Sequence, residues 1–297
     1  MKTITELRTK PLPENVGSII INANNGSIFD LDKESIINLY RHQGAVLFRG
    51  FEADVETFTQ FSNGLSADFI DYTGGVFNRQ VINGDSTVLT VNDFKNEIKL
   101  HGEMYYQKNI PLMLWFFCAK PPLQDGETIL CDGKRFFDEL SDSLKDMFAR
   151  KRLKYRGYLN KEAWQKRYKT DDLNEVKEIC KSNDTQLEVN ADESINLSYI
   201  CPAIYPSRTG EFTVFIGSLL PATAINPDVV CFDDGTKIGT DILSELNEIA
   251  DKITAEIKWR KGDILMVDNT RIMHGRRVFA DEEREIYIRL CSPAFSY

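Results

Sequence analysis

Hydrophobic positions along this chain follow two periods. Between Leu31 and Tyr40 the stretch LDKESIINLY opens on acidic residues and spaces its apolar ones three and four apart, predicting a helix that leads into the strand AVLFRGF at 45–51. ADVETFTQFSNGL predicts a second helix at 53–65. From Pro111 the run PLMLWFFCAKPP is continuous, rich in aromatic residues and closed by two prolines, the pattern of a strand buried on both faces. GETILCDGKRFFDEL turns into a helix, FTVFIG follows as a strand, and DILSELNEIADKITAEI at 241–257 reads as a helix. The strands DILMVDN and EIYIRLC complete a chain dominated by strands. The fold class this predicts is mainly β with helices, a β-sandwich or jelly roll.

No repeat, low-complexity tract or Pro/Gly/Ser linker divides the 297 residues, so a single domain over 1–297 is expected, with the more polar stretch at about 153–196 as an insertion. Specificity in such architectures lives in variable loops, so this insertion and the Phe77–Glu97 segment are the expected lid. With 42% hydrophobic and 27% charged residues the chain lies in the ordinary globular range. A formal charge of -9 argues against a nucleic-acid partner, which needs a basic surface to displace counterions. The opening MKTITELRTKPLPENVG has no apolar core, and the longest apolar stretch, MLWFFCA, is too short to span a bilayer, so neither a leader nor a membrane partner is expected and the location reads as cytoplasmic. Six cysteines occur without CxxC pairs and mostly in apolar runs, which predicts buried reduced thiols.

Only three histidines occur, so their neighbourhoods are informative. In IKLHGEMYY, His101 and Glu103 are two apart, and in an extended segment residues i and i+2 face one side, allowing an imidazole and a carboxylate to share an ion. An HxE pair alone is a weak signal. His274, in DILMVDNTRIMHGRR, follows a buried strand and an Asp-Asn turn. Two imidazoles and one carboxylate are the facial triad expected of non-haem iron(II) with open coordination positions, whereas catalytic zinc more often takes three histidines or thiolates. His42 sits at a helix end and reads as a surface residue. Arg276 and Arg277 could face substrate or solvent, and of Tyr105 and Tyr106 one suits the core and the other the pocket wall.

These stretches resemble the TauD/TfdA family of iron(II)/2-oxoglutarate-dependent dioxygenases over nearly the whole chain. QGAVLFRGF is similar to that family's early strand, LHGEMYY to its HxD/E motif, PLMLWFFCAKPPLQDGETIL to the strand and turn that follow, and WRKGDILMVDNTRIMHGRRVF to its distal-histidine motif. Glu in place of Asp in the triad, with WQKRYKTDDLNEVKEIC and TGEFTVF, resembles most closely the SyrP-like branch of natural-product biosynthesis.

The resemblance implies a double-stranded β-helix (jelly roll, cupin-like) core, iron(II) on His101, Glu103 and His274, 2-oxoglutarate as cosubstrate and O2 as co-reactant. It places Thr128, 27 residues after His101, at the family threonine that bonds the distal carboxylate of 2-oxoglutarate. The family arginine lies ten or eleven residues past the distal histidine, which makes Arg284 the cosubstrate anchor and Arg289 a second anion anchor; five apart, they face opposite sides of an unbroken strand, and a bulge would exchange their roles. The implied reaction is hydroxylation of an unactivated C–H bond in an amino acid or amino-acid-derived small molecule, free or carrier-tethered. Radical ring closure of the kainoid type and desaturation use the same groups. Halogenation conflicts with Glu103, because family halogenases replace the triad carboxylate with a small residue. A non-catalytic or zinc-binding cupin-like module is the alternative of another class, and Thr128 with the downstream arginines argues against it.

Overall fold

The run Met113–Lys120 lies at the centre of the larger of two facing sheets, and its alternating side chains feed two separate cores. The structure, a computed structural model, describes residues 7–70, 79–92, 95–281 and 283–297. Among these, the larger sheet runs Thr9–Pro11, Ser18–Ile21, Ala45–Arg49, Ile264–Asp268, Met113–Lys120, Glu285–Pro293, Asp85–Thr90 and Val81–Ile82, with Ser66–Ala67 pairing at the end of Glu285–Pro293. Its pairs are antiparallel except Ser18–Ile21 against Ala45–Arg49. The smaller sheet, Ala255–Ile257, Thr128–Asp132, Ile272–Arg276 and Ile98–His101, is antiparallel throughout. This is the mainly β, helix-bearing jelly roll that the strand pattern predicts.

Register decides which residues reach the interior. Leu114, Phe116 and Cys118, with Leu265, Val267, Ile286, Ile288 and Leu290, share a core with Leu130, Ile257 and Ile272 of the smaller sheet. Their neighbours Met113, Trp115, Phe117, Ile264, Met266, Tyr287 and Cys291 pack with Ile36, Tyr40, Phe58 and Phe61 of the helices Lys33–Gln43 and Val55–Asn63. Both helices start where an aspartate accepts from the first turn, Asp32 from the Ser35 N–H and Asp54 from the Thr57 N–H. The first ends on Gly44 at φ 76°, a left-handed C-cap. The stretch 241–257 differs from its helical reading: the helix Thr240–Ile253 stops at Thr254, and Ala255–Ile257 is the edge strand of the smaller sheet. Ala255 and Ile257, two apart and buried with Glu256 turned out, already carry strand period.

The polar stretch at 153–196 forms regular structure rather than a loop. Leu153–Leu159 pairs with Ile195–Cys201, which pairs with Gln186–Val189, and the later Val230–Phe232 adds to the other side. The helices Lys161–Tyr168 and Leu173–Ser182 belong to the same unit, which has its own small core of Trp164, Val176, Cys180 and Ile195. All six cysteines are buried and free. No helix of the described residues is long and apolar enough to cross a membrane.

Candidate metal centre

Two adjacent strands of the smaller sheet carry the histidines. His274 is the cross-strand partner of His101, and their ring centroids are 4.3 Å apart. Glu103 reaches them by a route the HxE spacing did not anticipate, because the strand ends at His101 and the carboxylate arrives from the turn beyond it. Met104 holds φ 65°, an uncommon value for a side-chain-bearing residue, and Asn269 clamps the turn: its Oδ1 accepts the Glu103 N–H at 2.8 Å while its Nδ2 donates to the Glu103 and Pro111 carbonyls. The ligand atoms of His101, Glu103 and His274 all lie within 4.8 Å of one another, the one such cluster among the described residues. Asn269 was missed by sequence reasoning, although it belongs to the Asp-Asn turn that precedes His274.

Two glycines make room for this convergence. A Cβ on Gly102 would meet the Tyr105 ring at 2.5 Å and Ile216 at 2.8 Å, and one on Gly275 would collide with the Ile98 carbonyl oxygen. The second obstacle is backbone of the strand beside His274. Gly275→Ala is therefore expected to push the His274 and His101 strands apart, lower stability by roughly 2–4 kcal/mol and weaken metal binding, as urea unfolding and ferrous-ion titration would show.

The electrostatics suit a divalent cation. His101 Nδ1 lies 2.8 Å from the Lys99 carbonyl, so its N–H donates there and Nε2 presents a lone pair to the centre. Burial, then the neighbouring His101, pushes His274 down to about 4, leaving it neutral at pH 7. Burial would raise the Glu103 carboxyl, but Arg79 and the two imidazoles outweigh it and hold Glu103 well below the usual carboxylate range. A neutral imidazole at His274 and an ionised carboxylate at Glu103 are protonation states a metal needs.

One consequence concerns the metal-free protein. Between pH 6.5 and about 4 the unfolded chain protonates this imidazole while the folded chain does not, so stability falls as pH drops through that window, by on the order of 3 kcal/mol at its lower end. The Glu103 contribution, present above the ordinary carboxylate range, is lost only at lower pH. Urea midpoints measured without metal at pH 7.5 and 5 should differ, and added ferrous ion should raise the first more than the second; equal midpoints in the metal-free protein would contradict the buried neutral imidazole.

Two cavities meet at this cluster, sharing Ile98, His101 and Glu103. The smaller, about 70 Å³, reaches Thr128, Arg276 and Arg284. Arg284 is 2% exposed and, among the described residues, donates to neutral oxygens, those of Gly126, Val91 and the Asn92 side chain. Burial and the neighbouring Arg276 lower it to about 9, so it stays charged at neutral pH. Thr128 Oγ1 accepts from Trp259 Nε1 at 3.0 Å, which leaves the hydroxyl proton for another acceptor. A buried guanidinium bonded to neutral oxygens beside a free hydroxyl donor fits the distal carboxylate of 2-oxoglutarate, as the triad fits iron.

Arg289 is placed elsewhere. It lies on the helix-facing side of Glu285–Pro293, donating to the Thr59 carbonyl, Ser62 Oγ, Asn63 Oδ1 and Thr87 Oγ1, with its guanidinium 3.7 Å from the Phe69 ring centroid. The expected second anion anchor is thus a clamp on the last turn of Val55–Asn63, where a cation also suits the helix dipole. The register shift between Glu285 and Ile286 falls after Arg284 and leaves the alternation from Ile286 onward intact.

The larger cavity, about 480 Å³, is lined by Tyr155, Arg156, Arg167 and Tyr168 of the 153–196 stretch, by Tyr199 after it and by Tyr106 from the HxE turn. Tyr105 instead packs in the core, its hydroxyl donating to the Asn269 carbonyl. Of the Phe77–Glu97 segment, Arg79, Thr90 and Val91 line the smaller cavity, while 77, 78, 93 and 94 lie outside the described residues. Arg277 turns away to Glu256 and Glu97, and His42 stays at its helix end.

Known proteins resemble this chain over most of its length. The family model described as taurine catabolism dioxygenase TauD, TfdA family matches residues 8–291. A clavaminate synthase-like protein of Arabidopsis thaliana is 26% identical over 282 residues, 87% of this chain and 84% of that protein. The dapdiamide synthesis protein DdaC of Enterobacter agglomerans is 22% identical over 288 residues, 88% and 85% of the two chains. Among solved structures, PvcB of Pseudomonas aeruginosa superposes with a TM-score of 0.65 at 16% identity, over 96% of this chain and 91% of that one, a likeness of fold. Another PvcB structure describes an Fe, alpha-ketoglutarate dependent oxygenase from an isonitrile synthetic pathway.

Proposed function

We propose that this chain, which belongs to the TauD/TfdA family and is an iron(II)- and 2-oxoglutarate-dependent oxygenase, hydroxylates an unactivated C–H bond of a small amino-acid-derived molecule in secondary metabolism. The observation that carries this reading is the pair of cavities meeting at one triad, because the chemistry needs separate seats for cosubstrate and substrate on either side of a shared metal. The relatives' described roles, in dapdiamide synthesis and an isonitrile pathway, support the natural-product setting.

Iron and 2-oxoglutarate, when bound, supply the oxidising equivalents. The protein's residues do the rest. His101, Glu103 and His274 would hold the metal. Arg284 and Thr128 would anchor the cosubstrate's far carboxylate. Phe116 and Ile288 line the smaller cavity and, with Ile98 at the junction, keep it dry, which protects the substrate-directed reaction from side reactions.

The larger cavity narrows the substrate. Apart from Glu103, its charged side chains are Arg156, whose charge reaches Asp228, and Arg167, which lies over the Tyr168 ring. In a chain of net charge -9, two arginines on the insertion side of the cavity favour a substrate bearing a carboxylate or another anion away from the carbon attacked. Tyrosines 106, 155, 168 and 199 supply flat walls with polar tips suited to an amino-acid or peptide-like body.

The test is a panel of N-acyl amino acids and dipeptides, each as free acid and as amide, incubated with ferrous ion, 2-oxoglutarate and O2 while succinate is followed. Free acids should stimulate succinate formation and gain one oxygen atom, and Arg167→Gln should raise KM for them about tenfold or more with little change in kcat. Preference for the amides, or stimulation indifferent to charge, would remove the anionic-substrate reading.

A further inference from the structure

The two oxygens of Glu103 meet different partners. Oε2 lies 3.4 Å from His274 Nε2 and 3.8 Å from His101 Nε2. Oε1 accepts a 3.0 Å hydrogen bond from Arg79 Nη2, in an ion pair whose side chains are 8% and 6% exposed. We propose that Arg79 is a positioning residue: by occupying Oε1 it makes Glu103 a one-oxygen ligand and so keeps a coordination position open at the metal.

The need follows from counting positions. An octahedral metal held by three protein atoms and a two-oxygen keto acid has one position left. A carboxylate is free to chelate through both oxygens, and doing so would fill that position. Glutamate has one more rotatable bond than aspartate, and here it projects from a turn rather than a strand, so its orientation needs an external hold. A guanidinium donor on one carboxylate oxygen provides it, as charge-assisted bonds to ligand carboxylates generally do.

The fold brings Arg79 there from the other sheet. Its neighbour Gln80 exchanges hydrogen bonds with Thr90, the Gln80 N–H donating to Thr90 Oγ1 and the Thr90 N–H to the Gln80 carbonyl, which ties this backbone to the end of Asp85–Thr90. Glu103 follows the last strand of the smaller sheet. The ion pair therefore spans the mouth of the sandwich and lines the smaller cavity beside the triad. A purely structural pair would tie the sheets together equally well, but it would leave the metal's coordination number unaltered when removed.

The proposal rests on the metal reading of the triad and is tested with cobalt(II), whose visible absorption reports coordination number. Cobalt-loaded wild type, Arg79→Met and Arg79→Lys are compared anaerobically, with and without 2-oxoglutarate. Arg79→Met should bind cobalt about 10- to 100-fold more weakly. With the keto acid present its spectrum should move to a higher coordination number, and Arg79→Lys should recover part of both properties. Wild-type affinity and spectrum in Arg79→Met would overturn the proposal.

Should Arg79→Met fail to fold, infrared difference spectra of the loaded wild type decide: a wide separation of the carboxylate stretches, absent in Glu103→Gln, marks one-oxygen binding, and a narrow one overturns it. His101→Ala separates the two levels. If it too binds cobalt like wild type, the metal reading of the triad fails rather than the role of Arg79.

Discussion

His274→Ala is expected to lose all ferrous-dependent turnover of 2-oxoglutarate while keeping its fold. The imidazole is buried and neutral, its Nδ1 has no hydrogen-bond partner among the described residues, and its Nε2 faces Glu103; removing it breaks no structural bond and takes away one of three metal donors. His101→Ala and Glu103→Ala should behave alike, because two remaining donors do not hold the ion in facial geometry. His42→Ala is the matched control, since this residue's described bond is made by its carbonyl, which accepts from Arg271 at a helix end. Anaerobic titration with ferrous ion and 2-oxoglutarate reads the loss directly, through the visible charge-transfer band of the chelated keto acid. Retention of that band in any triad variant would take that residue out of the metal site.

Arg284→Gln and Arg289→Gln should differ in their effect on the KM for 2-oxoglutarate. Arg284 presents a buried cation to the smaller cavity, so its loss should raise KM for 2-oxoglutarate about 100- to 1,000-fold, the worth of two charge-assisted hydrogen bonds, beyond any cost to stability from its bonds to Gly126, Val91 and Asn92. Arg289 holds the end of Val55–Asn63 against Asp85–Thr90 through four hydrogen bonds, so its loss should cost roughly 2–4 kcal/mol of stability and leave the 2-oxoglutarate KM near wild type. Paired measurements of KM and urea midpoint check both. An exchange of the two phenotypes would return the cosubstrate role to Arg289.

How legible these features were depends on the range of the interaction that creates them. The strand Met113–Lys120 could be read from its own composition, and the helices near Asp32 and Asp54 from capping residues and apolar spacing, because those signals are local. The tail of 241–257 was harder. Its apolar residues satisfy both periods for several positions, and pairing of Ala255–Ile257 with Thr128–Asp132 resolves the ambiguity in favour of a strand. The HxE pair was visible as a pair of donors, yet its geometry was not: the turn at Met104 and the Asn269 clamp, 166 residues away in sequence, aim Glu103.

By itself the chain's sequence determined the fold class, the family, the three candidate metal donors and the existence of two arginines of opposite facing. Each is encoded in short-range periodicity or in residue types that few chemistries use. Only the tertiary structure decided that Arg284 lines the smaller cavity while Arg289 faces the helices, that Arg79 bonds Glu103, and that Arg156, Arg167 and several tyrosines line the larger cavity. Facing is a property of register between strands, and register is settled by packing two sheets and two helices around the same residues at once. No window of sequence contains that sum.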